Sequence, residues 1–131
     1  KKDNQIKKVS NEIKVYTEEE HIQKGIEEIQ ELYLKFKDAI FNLGEIEIKT
    51  VQNWIGFIAA TNFVDFEIQK RAIKIHINLK KGELEDTKGI TRDVSKLGHF
   101  GNGDYEIRIK DDENLEYIMS LIKQSYKNNK K

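Results

Sequence analysis

Ser95, His99 and Asp104 bring a hydroxyl, an imidazole and a carboxylate into one short stretch, directly after an Arg92-Asp93 pair. In nucleophilic catalysis these residue types work together: a base takes the hydroxyl proton and a third group orients the base. All of them lie in the connection from Gly89 to Asp104, which also contains Gly98, Gly101 and Gly103. Three reacting groups on a single glycine-rich loop lack the rigid elements that hold a triad, and no nucleophile elbow surrounds Ser95. Asp93 and Ser95 are better read as short polar side chains that close local turns. No catalytic residue is assigned. A zinc site needs three or four ligands, and beyond His99 and Asp104 the nearest histidines are His21, on a helical stretch, and His76, on a strand-like one. No metal and no cofactor is expected.

The segment GHFGNGD, Gly98 to Asp104, has the glycine density of a backbone cradle for phosphate. Known phosphate loops feed a helix N-terminus, whereas this one feeds a strand-like alternation, so a tight turn or bulge at Asn102-Gly103 is preferred. Small-ligand or nucleotide-phosphate sensing stands as the alternative, with Arg92, Asp93, Ser95, His99, Gly101, Gly103 and Asp104 as candidate ligand-binding residues. Arg92-Asp93 reads first as an ion pair that pins the loop to the sheet. Ile90, Val94, Leu97 and Phe100 recur every three or four positions. That spacing predicts an ordered loop with Val94 and Phe100 inside.

The elements that must position these groups follow from periodicity. Thr17 and Glu20 form a capping box. Ile22, Ile26, Ile29, Tyr33, Phe36, Ile40 and Leu43 then make one helical stripe ending near Gly44, with Gly25 inside it as a point of close crossing. The period next drops to two, predicting strands at Ile46–Ile48, Trp54–Ala60, Val64–Ile68, Ile73–Leu79 and Tyr105–Lys110. The third and fourth of these form an antiparallel hairpin through Gln69-Lys70-Arg71. Asp111 opens a closing helix whose apolar face is Leu115, Ile118, Met119, Ile122 and Tyr126. The expected fold is α+β: an antiparallel sheet of four to six strands, with a long N-terminal helix and a C-terminal helix on one face.

Composition narrows the function classes. The chain has 131 residues, the size of one domain, and its 23 basic and 23 acidic side chains cancel. Bulk charge therefore favours neither nucleic acid nor membrane, but it is unevenly spread. Residues 17–47 carry nine acidic and three basic groups, and residues 69–96 carry eight basic and four acidic. Lys70, Arg71, Lys80, Lys81, Lys88 and Lys96 are candidate nucleic-acid contacts, with Arg92, and with His76 and Arg108 joining from the sheet's polar face. Aromatic residues are not interleaved with these basics, so duplex contact is expected over single-strand recognition. There is no cysteine, which fits a reducing compartment and a cytoplasmic location. The longest apolar run, Phe57-Ile58-Ala59-Ala60, is far short of the about 20 residues that cross a bilayer, so no membrane partner is expected.

The phrase Arg92-Asp93-Val94-Ser95, then Gly98-His99-Phe100-Gly101, Gly103-Asp104 and Glu106, resembles an uncharacterised bacterial and archaeal domain labelled "predicted transport protein". The resemblance runs over about residues 16–127. It implies a C-terminal domain that follows a restriction-endonuclease-like nuclease domain, or sits behind modification-dependent restriction modules. Residues 1–15 are then a linker or a processed remnant, 16–128 a single domain and 129–131 a frayed tail; the opening Lys points to a piece of a longer protein. The expected role is a non-catalytic binding or assembly module of a nuclease-type protein, with DNA as a possible partner. A protein–protein or dimerisation role is a further alternative.

Overall fold

The computed structural model describes residues 15–97 and 103–129. The chain opens with α1 (Glu18–Ile22) and α2 (Glu27–Phe41). It continues through β1 (Glu47–Thr50), β2 (Ile55–Ile58), β3 (Asn62–Ile68), β4 (Ile73–Ile77), β5 (Arg92–Asp93) and β6 (Tyr105–Ile109), and closes with α3 (Leu115–Asn129). The strands form one antiparallel sheet in the order β1-β2-β3-β4-β6-β5. This is the expected α+β fold.

The capping box starts the first helix as the sequence predicts. Glu20 N–H donates to Thr17 Oγ1 at 3.1 Å, and Thr17 N–H donates to Glu20 Oε1 at 3.0 Å. The single long helix does not persist, because the chain breaks between Ile22 and Glu27. Here the Ile26 amide leaves the helical ladder and donates to the Lys70 carbonyl of the β3–β4 turn at 2.9 Å. Gly25 permits the crossing. A Cβ at that position would lie 2.6 Å from Ile29 Cγ2 and 3.2 Å from Ile68 Cγ2.

One face of the sheet is apolar. Register aligns Phe57 with Val64 and Ile77, and Ile55 with Phe66, Ile75 and Ile107. Against these pack Ile29, Leu32, Tyr33, Phe36 and Ile40 of α2 and Ile118, Leu121 and Ile122 of α3, in a single buried cluster. Ser125 Oγ donates to the Phe63 carbonyl at 2.6 Å, and Tyr126 meets Phe63 edge-on at 5.4 Å, fastening α3 to β3. Asn129, assigned to the frayed tail, is instead the last residue of α3. Its carbonyl accepts from Thr61 N–H at 3.0 Å and its Nδ2 donates to the Asn78 carbonyl at 3.1 Å.

Within one uninterrupted helix this position would favour alanine over glycine by about 1 kcal/mol. Gly25→Ala should nonetheless destabilise the domain, by about 1–3 kcal/mol, because Ile29 and Ile68 must shift to admit the methyl group. Urea denaturation checks the sign.

His21 on α1 is buried, its Nε2 2.6 Å from the Val51 carbonyl. That contact makes Nε2–H the donor and leaves Nδ1 buried with no hydrogen-bond partner among the described residues. Burial holds the His21 pKa below its ordinary 6.5, against the Val51 hydrogen bond that raises it. Protonation therefore favours the unfolded chain. The stabilising contribution is complete above pH 6.5 and is lost as pH falls from there through the depressed folded value. Stability measured by urea from pH 7.5 down to 5 should decline, and His21→Asn should decline less steeply over the same range.

Candidate functional site

Because the side-chain period of a strand is two, the apolar face forces a second row onto the opposite face. Register there aligns Lys49, Gly56, Asp65, His76, Glu106 and Arg92 across all six strands. A parallel row holds Glu67, Lys74 and Arg108. This is the face turned away from α2 and α3.

Its charges are layered. Asp65 and His76 are 0% and 2% exposed. The Glu106 side chain is 12% exposed and meets three nitrogen partners: His76 Nε2 at 3.2 Å and Lys74 Nζ at 3.9 Å on Oε1, and Arg92 Nη1 at 3.8 Å on Oε2. The Arg92 side chain is 67% exposed, and Lys49 and Arg108 are also exposed. The carboxylates form a floor, and the longer cationic side chains reach past it to the surface. Asp65 Oδ1 accepts from Asn62 Nδ2 at 2.9 Å, and one carboxylate oxygen of Glu67 is buried with no hydrogen-bond partner among the described residues.

The residues singled out by sequence are only partly brought together. Arg92 and Asp93 are neighbours on edge strand β5 and pair with different partners: Arg92 with Glu106, and Asp93 with Lys81 at 3.7 Å. The loop is pinned through these two contacts and not through an Arg92–Asp93 pair. The Ser95 hydroxyl and amide, then Lys81, hold the Asp93 carboxyl below its ordinary range, and Ser95 N–H donates to Asp93 Oδ1 at 2.9 Å. Ser95 thus closes an Asx turn. Asp104 is taken up by the backbone: its Oδ2 accepts from Lys81 N–H at 2.8 Å and its carbonyl from Val94 N–H at 2.8 Å. Gly103 has φ +87°, and a Cβ there would run into the Ile77 carbonyl and come within 2.5 Å of Asn78 Cα. Val94 is buried as expected, and Leu97 of the same apolar spacing is 47% exposed. His99, Gly101, Gly98 and Phe100 lie outside the described residues.

The basic set divides. Lys70 and Arg71 occupy the β3–β4 turn, and Lys80 and Lys81 follow the other end of β4. Its five residues put the two groups more than about 16 Å apart. Lys88 stands over the Tyr117 ring at 4.8 Å, beside Asp86, which accepts from Thr91 N–H and Oγ1 at 2.7 Å and from the Tyr117 hydroxyl. Lys96 is exposed. Lys80 and Lys81 therefore do not continue the Lys70-Arg71 surface, and Lys74 and Arg108, on the face turned away from α2 and α3, extend that end instead. Among the described residues no group of three or more His, Asp or Glu side chains is arranged to hold a metal, and no helix is long and apolar enough to cross a membrane.

A family described as "Domain of unknown function (DUF5655)" matches residues 18–129. The chain belongs to the DUF5655 family. An "Uncharacterized protein" of Haemophilus influenzae (strain ATCC 51907 / DSM 11121 / KW20 / Rd) is 50% identical over 120 residues, covering 91% of this chain and 40% of the relative. The chain thus spans about two fifths of that relative's length. No solved structure matches it. Sequence reasoning placed His76 and Arg108 of this DUF5655 domain on a polar face. It missed Asp65, Glu106, Lys74, Lys49 and Asn62, whose only signal was a charged or polar residue at the outward position of each strand.

Because Gly103 abuts the β4 backbone at positive φ, Gly103→Ala should cost about 2–5 kcal/mol from backbone strain and overpacking together. A matching fall in melting temperature is expected; an unchanged one would show that the approach of this glycine to β4 carries no constraint.

Proposed function

We propose that this domain is a non-catalytic binding module that contacts a polyanion, DNA being the candidate, through the sheet face turned away from α2 and α3. The observation that carries the reading is the layering of that face. Lys49, Lys74, Arg108 and Arg92 come from four different strands, and Lys74 and Arg92 reach the half-buried Glu106 carboxylate. Glu106 holds Lys74 and Arg92 in place, and spaced cations on a rigid sheet suit successive phosphates. Lys70 and Arg71 extend the same surface at the β3–β4 turn. Ser95 is engaged by Asp93, and His76 by Glu106, which supports binding over nucleophilic catalysis.

The matched region is 40% of its Haemophilus relative, and the resemblance is to domains that follow nuclease modules. Both support a role as one part of a longer protein, with a nuclease domain as the candidate neighbour. A cytoplasmic setting fits the cysteine-free chain.

Labelled DNA, single-stranded and duplex, should bind with an affinity that falls steeply with salt, the logarithmic slope being about −3 for four phosphates neutralised. The double variant Lys74→Glu/Arg108→Glu should lose at least about tenfold in affinity and show a shallower slope. The chain alone should turn over neither DNA, RNA nor nucleotides with Mg²⁺ or Mn²⁺. Binding that ignores salt, or hydrolysis abolished by His76→Ala or Glu106→Ala, would sink the reading.

A further inference from the structure

On the face turned away from α2 and α3, beside β1 and β2, Lys49, Val51, Trp54, Ile58 and Asn62 line a hollow of about 190 Å³. Gly56 lies beneath it. A Cβ at Gly56 would stand 2.5 Å from Asn62 Nδ2 and 3.0 Å from Asp65 Oδ1, so only glycine lets the Asn62 amide lie flat against the sheet. Nδ2 donates to the fully buried Asp65 at 2.9 Å, which fixes the way the amide points. Its Oδ1 is buried and has no hydrogen-bond partner among the described residues. An acceptor held in this way is costly to leave unmatched, and Asn62 is among the residues that line the hollow.

Size and lining define what fits. A cavity of about 150 Å³ holds one benzene ring, whereas pockets for drug-sized molecules begin at about 300 Å³. The hollow, open to solvent on one side, matches one six-membered ring in volume. Trp54 contributes an indole, a side chain on which bases stack, Val51 and Ile58 add apolar lining, and the exposed Lys49 supplies a cation. We propose that the hollow accepts a single pyrimidine base of single-stranded nucleic acid. The ring stacks on Trp54, its N–H or amino group donates to Asn62 Oδ1, and the neighbouring phosphate meets Lys49. This deepens the reading of the face as a polyanion surface and rests on it: Lys74, Arg108 and Arg92 continue the cations away from Lys49 along the sheet, and a strand supplies a phosphate for each. It also reverses the expectation of duplex over single strand, because the sheet brings an aromatic residue to the cationic face that sequence spacing kept apart from the basics. A paired base offers neither its face nor its edge.

Trp54 is the one tryptophan in the chain, so indole emission reports the hollow directly. The 131-residue chain is titrated with oligo-dT, oligo-dA and duplex DNA of equal length and with thymidine monophosphate, while labelled-DNA anisotropy follows total binding. Oligo-dT should quench Trp54 and bind about tenfold tighter than oligo-dA, with the duplex leaving the emission unchanged. Trp54→Leu should weaken oligo-dT binding about tenfold and leave duplex binding as it was, and Trp54→Phe should restore most of the loss. Lys49→Glu, a surface change, should weaken oligo-dT binding in a chain whose indole emission without DNA is unaltered. Anisotropy that rises with no change in indole emission, or equal quenching by oligo-dT and oligo-dA, overturns the pyrimidine site and leaves the polyanion face standing. Thymidine monophosphate that binds as tightly as oligo-dT overturns the role of the strand. Absence of binding to every nucleic acid overturns both.

Discussion

Phe66 sits on β3 with the rings of Phe57, Phe36 and Tyr33 around it, at centroid separations of 5.5, 5.7 and 5.9 Å. A buried aromatic cluster of this kind is large enough to fix which side of the sheet faces the helices. Alternation does the rest. With Phe66 inward, Asp65 and Glu67 must point outward, and cross-strand pairing carries that choice to Lys74, His76, Glu106 and Arg108. A slip of one residue would send these charges into the apolar core, so the polar face is as tightly specified as the core itself.

That specification explains how a carboxylate can be buried on the face turned away from α2 and α3. Charge removed from water is tolerated when it is paired and hydrogen-bonded. Asp65 has the Asn62 amide, and Glu106 has an imidazole, an ammonium and a guanidinium within 4 Å. Replacing one member leaves the others uncompensated, which gives the row a rigidity that exposed ion pairs lack. The glycine at position 56 belongs to the same arrangement, since its missing side chain is what admits the Asn62 amide.

Much of the architecture was legible from periodicity. The capping box, the hairpin through residues 69–71 and the closing helix needed only local pattern, because each is set by neighbours in sequence. What escaped was set by neighbours in space. The break at Gly25 depends on the Lys70 carbonyl and on Ile68, both more than forty positions away. The anchoring of Asn129 depends on Thr61 and Asn78. In the glycine-rich loop the polar residues looked like chemistry, yet Asp93, Ser95 and Asp104 hold backbone in place. The charged row on the sheet looked like ordinary solvated alternation. Only register shows that its members meet, and a single sequence does not state register across a connection as long as that from β4 to β6.

That long connection also orders the events of folding. β1 to β4 form a meander whose links are four, three and four residues, whereas β4 reaches its partner β6 only after 27 residues. Closing the longer loop costs about 1.7 kcal/mol more than closing a four-residue one, as chain entropy grows with the logarithm of length. The meander can therefore assemble early from local contacts, while β6, and β5 paired to it, join late. Arg92, Glu106 and Arg108 arrive with them. The charged face is complete only when the slowest pairing has formed, so a partly folded chain presents β-hairpins without the surface that distinguishes the native domain.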